Sequence, residues 1–156
     1  MKYADFMERS HFSREEVLAL ARVLKTYGGR YASHMRDEDD RVMDAIDELI
    51  DIGRETQIPV HIAHIKLADR ELWGTTDSVL DVLDRARAEG IELTADLYPY
   101  QRWASNLAIL FPSRDYSKVE DAEFTFAHTA TPEDILLLDF PANPDFSGRT
   151  IADIAG

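Results

Sequence analysis

A chain of 156 residues, 45% of them hydrophobic, can build one packed core, yet it is too short for a complete (β/α)8 barrel, which takes roughly 200 residues or more. Its 17 Lys+Arg against 30 Asp+Glu give a formal net charge of −13, which repels a phosphate backbone or an anionic bilayer, so neither nucleic acid nor membrane is expected as a partner. Cysteine is absent, which excludes disulfides and a thiol nucleophile from this chain and leaves His, Asp and Glu to bind any metal.

Ser13-Arg14-Glu15-Glu16 fits a capping box, and Val17, Leu20, Ala21 and Leu24 follow at helical spacing, so a helix is expected from about Arg14 to Tyr27, stopped by Gly28-Gly29. The run Arg30 to His34 leads into a second amphipathic helix carrying Val42, Ile46, Leu49, Ile50 and Gly53 on one face. Pro59 to Ile65 is β-rich and reads as a strand. Thr76 to Glu89, with Val79, Val82, Leu83 and Ala86 in phase and Gly90 behind them, reads as a third helix. Ile91 to Leu97 reads as another strand, broken by Tyr98-Pro99-Tyr100. The alternation of helix and strand predicts an α/β fold with parallel strands and helical crossovers. Beyond Gln101 short helices and loops are expected: an apolar run at Leu107 to Phe111, a helix start at Thr131-Pro132, and a last amphipathic turn at Ile151 to Ile154.

Three strand ends share a pattern. Ala32-Ser33-His34, Ile62-Ala63-His64 and Thr94-Ala95-Asp96 each close on a small residue followed by a potential metal ligand, at intervals of 30 and 32 residues, about one βα repeat. Equivalent positions one repeat apart lie side by side at the carboxyl end of a parallel sheet, where α/β proteins place their sites. One strand-end histidine is by default a polar cap; two in step argue for His34 and His64 as zinc ligands, with Asp96 as a third ligand or as the carboxylate that orients an imidazole. Strand periodicity puts Lys66 on the side of His64, where it could bind a substrate carboxylate, and Arg36 in the same relation to His34. Tyr98 can offer a phenolic hydrogen bond. His61 falls on the opposite strand face and is expected to point to the covering helices. His11 and His128 have no partner spacing and read as structural. The acidic run Asp37 to Asp40 reads as first-turn acids of the second helix.

The strings Tyr31-Ala32-Ser33-His34-Met35-Arg36-Asp37-Glu38, Ala63-His64-Ile65-Lys66 and Asp96-Leu97-Tyr98-Pro99-Tyr100, in that order and spacing, resemble the N-acyl-D-amino-acid deacylases (D-aminoacylases) of the amidohydrolase superfamily. The likeness continues through Ser105 to the closing Gly148 to Ile154. It implies a partial TIM barrel of about three consecutive βα units, residues 1–100, with residues 101–156 continuing the same domain as loops and short helices. It further implies a zinc-dependent hydrolase acting on the amide of small N-acyl-D-amino acids, zinc on His34 and His64, and the substrate's carboxylate side on Lys66, Tyr98 and Ser105. The family's His-x-His motif, cysteine ligand and late catalytic aspartate have no counterpart here. The chain therefore reads as a central section of such an enzyme, inactive alone, whose open sheet edge would pair with the remaining barrel segments or a second copy. No apolar run of signal-peptide or membrane-spanning kind occurs, so a soluble cytoplasmic protein is expected. Two other readings stay open: a non-catalytic α/β module binding a metal or partner, and a truncated remnant of a related cyclic-amide amidohydrolase.

Overall fold

In a computed structural model that describes residues 13–156, the chain divides into two compact units: one running to Leu67 and resuming from Gly74 to Pro99, the other formed by Ala68–Trp73 and Tyr100–Gly156. His11 lies outside the described residues.

The first unit follows the expected alternation. Helix α1 (Arg14–Thr26) starts on the capping box: Ser13 Oγ accepts from the Glu16 N–H at 3.2 Å and Glu16 Oε2 accepts from the Ser13 N–H at 2.8 Å. The buried stripe of α1 departs from the expected one at a single position: Ala21 is buried and Val17 and Leu24 are part-buried as expected, but Leu18 takes the buried place of Leu20, which is 64% exposed. The chain then turns at Gly28, whose φ of +62° costs glycine nothing. It enters β1 (Tyr31–His34), α2 (Val42–Thr56), β2 (Val60–Ala63), α3 (Thr76–Ala88) and β3 (Leu93–Ala95). The strands form one parallel sheet in the order β1-β2-β3, with a helix in each crossover.

The core is what α2 and α3 bury against one face of this sheet. Ile46, Ile52, Val60 and Ile62 are almost wholly buried, and Val79, Leu83 and Leu93 nearly so. Gly53 is the point of closest approach: a Cβ built there would stand 2.8 Å from Ile91 Cγ2 and 3.2 Å from a Val60 methyl. Both neighbours are β-branched and fixed, so overpacking of about 1–3 kcal/mol outweighs the roughly 1 kcal/mol helix-propensity gain of alanine. Gly53→Ala should therefore lower stability by about 1 kcal/mol in chemical denaturation, and a stabilised variant would refute this packing.

The helix-facing strand positions are thus Val60, Ile62 and Leu93, while His61 and Thr94, paired in register, face the other way. The expectation for His61 is corrected: period two holds along β2, but the even positions, not the odd ones, carry the core.

The second unit has less regular structure. Leu107–Leu110 is a 3-10 turn, not a strand or longer helix. Helix α4 (Val119–Phe124) runs into a π-turn at Thr125–Thr129, tied down where the buried Thr125 hydroxyl donates to the Leu110 carbonyl at 2.7 Å. Thr131-Pro132 does not start a helix. Thr131 instead closes a turn on Asp134, its Oγ1 2.8 Å from the carboxylate, and the chain continues into β4 (Leu136–Leu137), which pairs antiparallel with β5 (Arg149–Thr150). The last helix, α5 (Ile151–Ala155), is present as expected and carries a capping box between Thr150 and Asp153. His128 keeps a structural role, its Nδ1 2.6 Å from Glu71 Oε1 and its ring against Phe124.

Candidate metal centre

The sheet brings His34 and His64 together, though not through the register that their spacing suggests. In the ladder His34 stands opposite Ala63, and the next ladder bonds join Asp96 to Ile62 and Ile65. His64 is thus one residue beyond the position equivalent to His34. A continued strand would turn its side chain to the helix face. The backbone avoids this by entering the left-handed region at His64, φ +41°, which carries the imidazole back to the face of His34. His34 Nδ1 and His64 Nε2 then lie 3.1 Å apart, with ring centroids 4.7 Å apart.

Asp96 holds that conformation. Its Oδ1 accepts the His64 backbone N–H at 2.6 Å, and its Oδ2 lies 2.8 Å from His61 Nε2. His61 Nδ1 is 2.8 Å from Thr94 Oγ1, which accepts from Arg30 at 2.9 Å. The Asp96 carboxylate can only accept, so His61 Nε2 carries a proton and donates it to Asp96. The His61 and His64 donors hold the Asp96 carboxyl below the ordinary carboxylate range. Asp96 thus bonds the backbone of His64 and stands outside the group of possible donors formed by His34, Glu38 and His64.

Lys66 lies on the side of His64 as expected, its Nζ 3.0 Å from His64 Nδ1, although β2 ends at Ala63 and strand periodicity is not what places it there. It also donates to Glu38 Oε1. Tyr98 lies beside it, with the ammonium 5.7 Å from the ring centroid. Among the described residues the Tyr98 hydroxyl is the buried side-chain polar atom left without a hydrogen-bond partner, and burial first, then the Glu38 charge, raises its pKa. Arg36 does not mirror Lys66. Its guanidinium turns into the helix layer and grips Glu48 through two 2.8 Å bonds, beside a cavity of about 340 Å3 lined by Val17, Ser33, Leu49 and Ile52 among others. Ser105 belongs to the second unit and stands exposed in irregular chain.

Glu38 was not expected here. The acidic run does not supply first-turn acids, since α2 starts at Val42 and its first-turn acid is Asp44; Asp37 instead closes the turn before the helix, accepting from the Asp39 and Arg41 N–H groups at 2.9 and 3.3 Å. The Glu38 side chain, only 12% exposed, instead reaches the histidines, its Oε1 3.5 Å from His34 Nδ1 and 3.3 Å from His64 Nδ1. The chain between His34 and Glu38 is irregular, so no helix or strand spacing marks this residue in the sequence. His34, Glu38 and His64 together form a group of three possible metal donors whose ligand atoms lie within 4.8 Å of one another.

The donor chemistry fits zinc. Two ligand atoms on a tetrahedral ion with bonds of about 2.0–2.1 Å stand roughly 3.3 Å apart, close to the His34–His64 separation. Burial holds the His34 imidazole below its ordinary pKa, with the His64 and Lys66 charges acting the same way and Glu38 opposing them; the ring is neutral at pH 7 and its lone pair is free to coordinate.

No protein-family model matches the chain. It is 33% identical over 140 residues to the N-acyl-D-glutamate deacylase of Alcaligenes xylosoxydans xylosoxydans, covering 90% of this chain and 25% of that protein. Its fold matches the crystal structure of the N-acyl-D-glutamate deacylase from Bordetella bronchiseptica, complexed with zinc and a phosphonate inhibitor that mimics the tetrahedral intermediate. That match has a TM-score of 0.72 and 33% identity, over 92% of this chain and 27% of the other. A D-aminoacylase described as defining a novel subset of amidohydrolases matches with a TM-score of 0.55 and 39% identity, over 58% of this chain and 19% of the other. The chain spans about a quarter of the length of the N-acyl-D-glutamate deacylases it matches. In class, then, it is similar to the amidohydrolases. Within that class its resemblance is to the N-acyl-D-amino-acid deacylases, as the three strings imply, and it runs through nearly the whole chain.

Proposed function

We propose that this chain supplies the zinc-binding and carboxylate-binding part of a deacylase that hydrolyses the amide of N-acyl-D-amino acids. Residues 1–100 would provide about three βα units of a TIM barrel and residues 101–156 the continuation of that domain, in a cytoplasmic enzyme. The observation that carries the reading is the 3.1 Å approach of His34 Nδ1 to His64 Nε2 at neighbouring parallel strand ends. His34 and His64 would hold the ion. The chemistry an ion supplies there is polarisation of the acyl carbonyl and activation of water.

The chain's own residues do the rest of the positioning. Lys66 presents a compact positive charge suited to the free carboxylate of the substrate. Tyr98 adds a hydroxyl that has no partner within the described residues and is held protonated, so it donates a hydrogen bond. Ser105 enters by residue match to the family. Fixing the carboxylate at Lys66 and Tyr98 lays the neighbouring amide towards the histidines, which converts an encounter into an oriented reaction.

The test is a chimaera in which this chain replaces the matching section of the Alcaligenes N-acyl-D-glutamate deacylase, assayed with zinc on N-acetyl-D-glutamate and other N-acetyl-D-amino acids. Hydrolysis by the chimaera, lost on His34→Ala or His64→Ala, is the expected result. The 156-residue chain alone should not hydrolyse these substrates. A folded, zinc-loaded chimaera without activity on any of them would refute the proposal.

A further inference from the structure

The closeness of Glu38 to both Lys66 and His64 raises a bonding question that Lys66 alone does not answer. An imidazole that gives its Nε2 lone pair to a metal carries its proton on Nδ1 and must donate it. The nearest groups to His64 Nδ1 are the Lys66 ammonium at 3.0 Å, itself a donor, and Glu38 Oε1 at 3.3 Å. Two donors side by side need a shared acceptor, and the Glu38 carboxylate, largely buried and already bonded to Lys66, is that acceptor.

We propose that Glu38 is a positioning residue of the metal centre. Its carboxylate accepts the hydrogen bond donated by His64 Nδ1–H, so that the Nε2 lone pair is presented towards His34 Nδ1, and at the same time anchors the Lys66 ammonium beside Tyr98. One carboxylate thereby sets both the metal-binding tautomer and the place of the substrate-binding cation. With Nε2 uncommitted, the opposite tautomer is equally served: Lys66 donates to Nδ1 and Nε2–H donates to His34 Nδ1. Glu38 supplies the alternative partner that releases Nε2 from that bond. Acceptors behind ligand histidines are worth 10–100-fold in metal affinity in well-studied sites.

The proposal rests on the reading of His34 and His64 as zinc ligands, and the experiment separates the two. Zinc affinity of the full chain is measured by competition with a chromophoric chelator for the wild type, Glu38→Ala, Glu38→Gln, Lys66→Met and His64→Ala, with circular dichroism of each. Glu38→Ala is expected to weaken zinc binding 10–100-fold, Glu38→Gln by less because its amide oxygen still accepts, and Lys66→Met by under threefold. Nitrogen-15 NMR of the zinc-loaded wild type should show His64 protonated at Nδ1. If Glu38→Ala loses its helical signal, that spectrum, compared with the one from Glu38→Gln, decides the matter. Binding by Glu38→Ala within threefold of wild type, or a His64 protonated at Nε2 in the zinc-loaded chain, overturns the role of Glu38 and leaves the histidine reading standing. Undiminished binding by His64→Ala, or no zinc binding by the wild type, overturns both.

Discussion

Replacing His34 or His64 by alanine should weaken zinc binding more than the roughly 10–100-fold that follows loss of a supporting group, because either change leaves one imidazole where the site offers two. The effect is expected to be local. Both side chains lie on the sheet face away from the α2 and α3 core, and just over half of the His34 side chain is exposed, so neither removal opens a cavity in that core. Chelator competition would show the loss of affinity, while the midpoint of chemical denaturation without zinc should move little. A chain lacking both imidazoles that still bound zinc with wild-type affinity would rule out this pair as the centre.

The second large effect lies on the other side of β1 and concerns stability. Glu48 is 6% exposed and Arg36 18% exposed, joined by two parallel 2.8 Å bonds. Arg36→Ala strands a carboxylate in the layer between sheet and helices, and uncompensated buried charges of this kind cost about 3–5 kcal/mol. The partial exposure of Arg36 argues for the lower end, about 3 kcal/mol, or a fall in Tm of roughly 10 °C for a chain of this size. Arg36→Met combined with Glu48→Gln should recover much of the loss, since what is removed is a charge and not the shape. Zinc affinity should be unchanged in both. A loss below about 0.5 kcal/mol in Arg36→Ala would mean that water reaches Glu48.

Local patterning carried most of the first unit. The capping box at Ser13, the α2 stripe through Ile46 and Gly53, and the Gly90 stop after α3 are short-range features, and each stands where spacing put it. What spacing could not supply was orientation at the strand ends. Arg36 and Lys66 occupy matching places after their histidines, yet one is drawn into the helix layer by Glu48 and the other towards the histidines by Glu38. Both acids lie on or before α2, and no periodicity within the strand records them. The second unit was least legible because its elements are short: the two-residue strands β4 and β5 are defined by their pairing, which is not local information. The pairing of the histidines was anticipated, but the 30-residue interval was one too long for the ladder, and a left-handed residue absorbed the difference.

That left-handed residue sets function against stability. Residues that carry a Cβ pay roughly 1–2 kcal/mol to adopt this conformation, and at His64 the bond from its N–H to Asp96 holds the chain there. Glycine at position 64 would remove the penalty together with the imidazole. A lineage no longer selected for metal binding would thus find loss of the site rewarded by a firmer fold, so a histidine kept at this position in related sequences is a more telling mark of retained activity than His34, whose extended backbone imposes no such penalty.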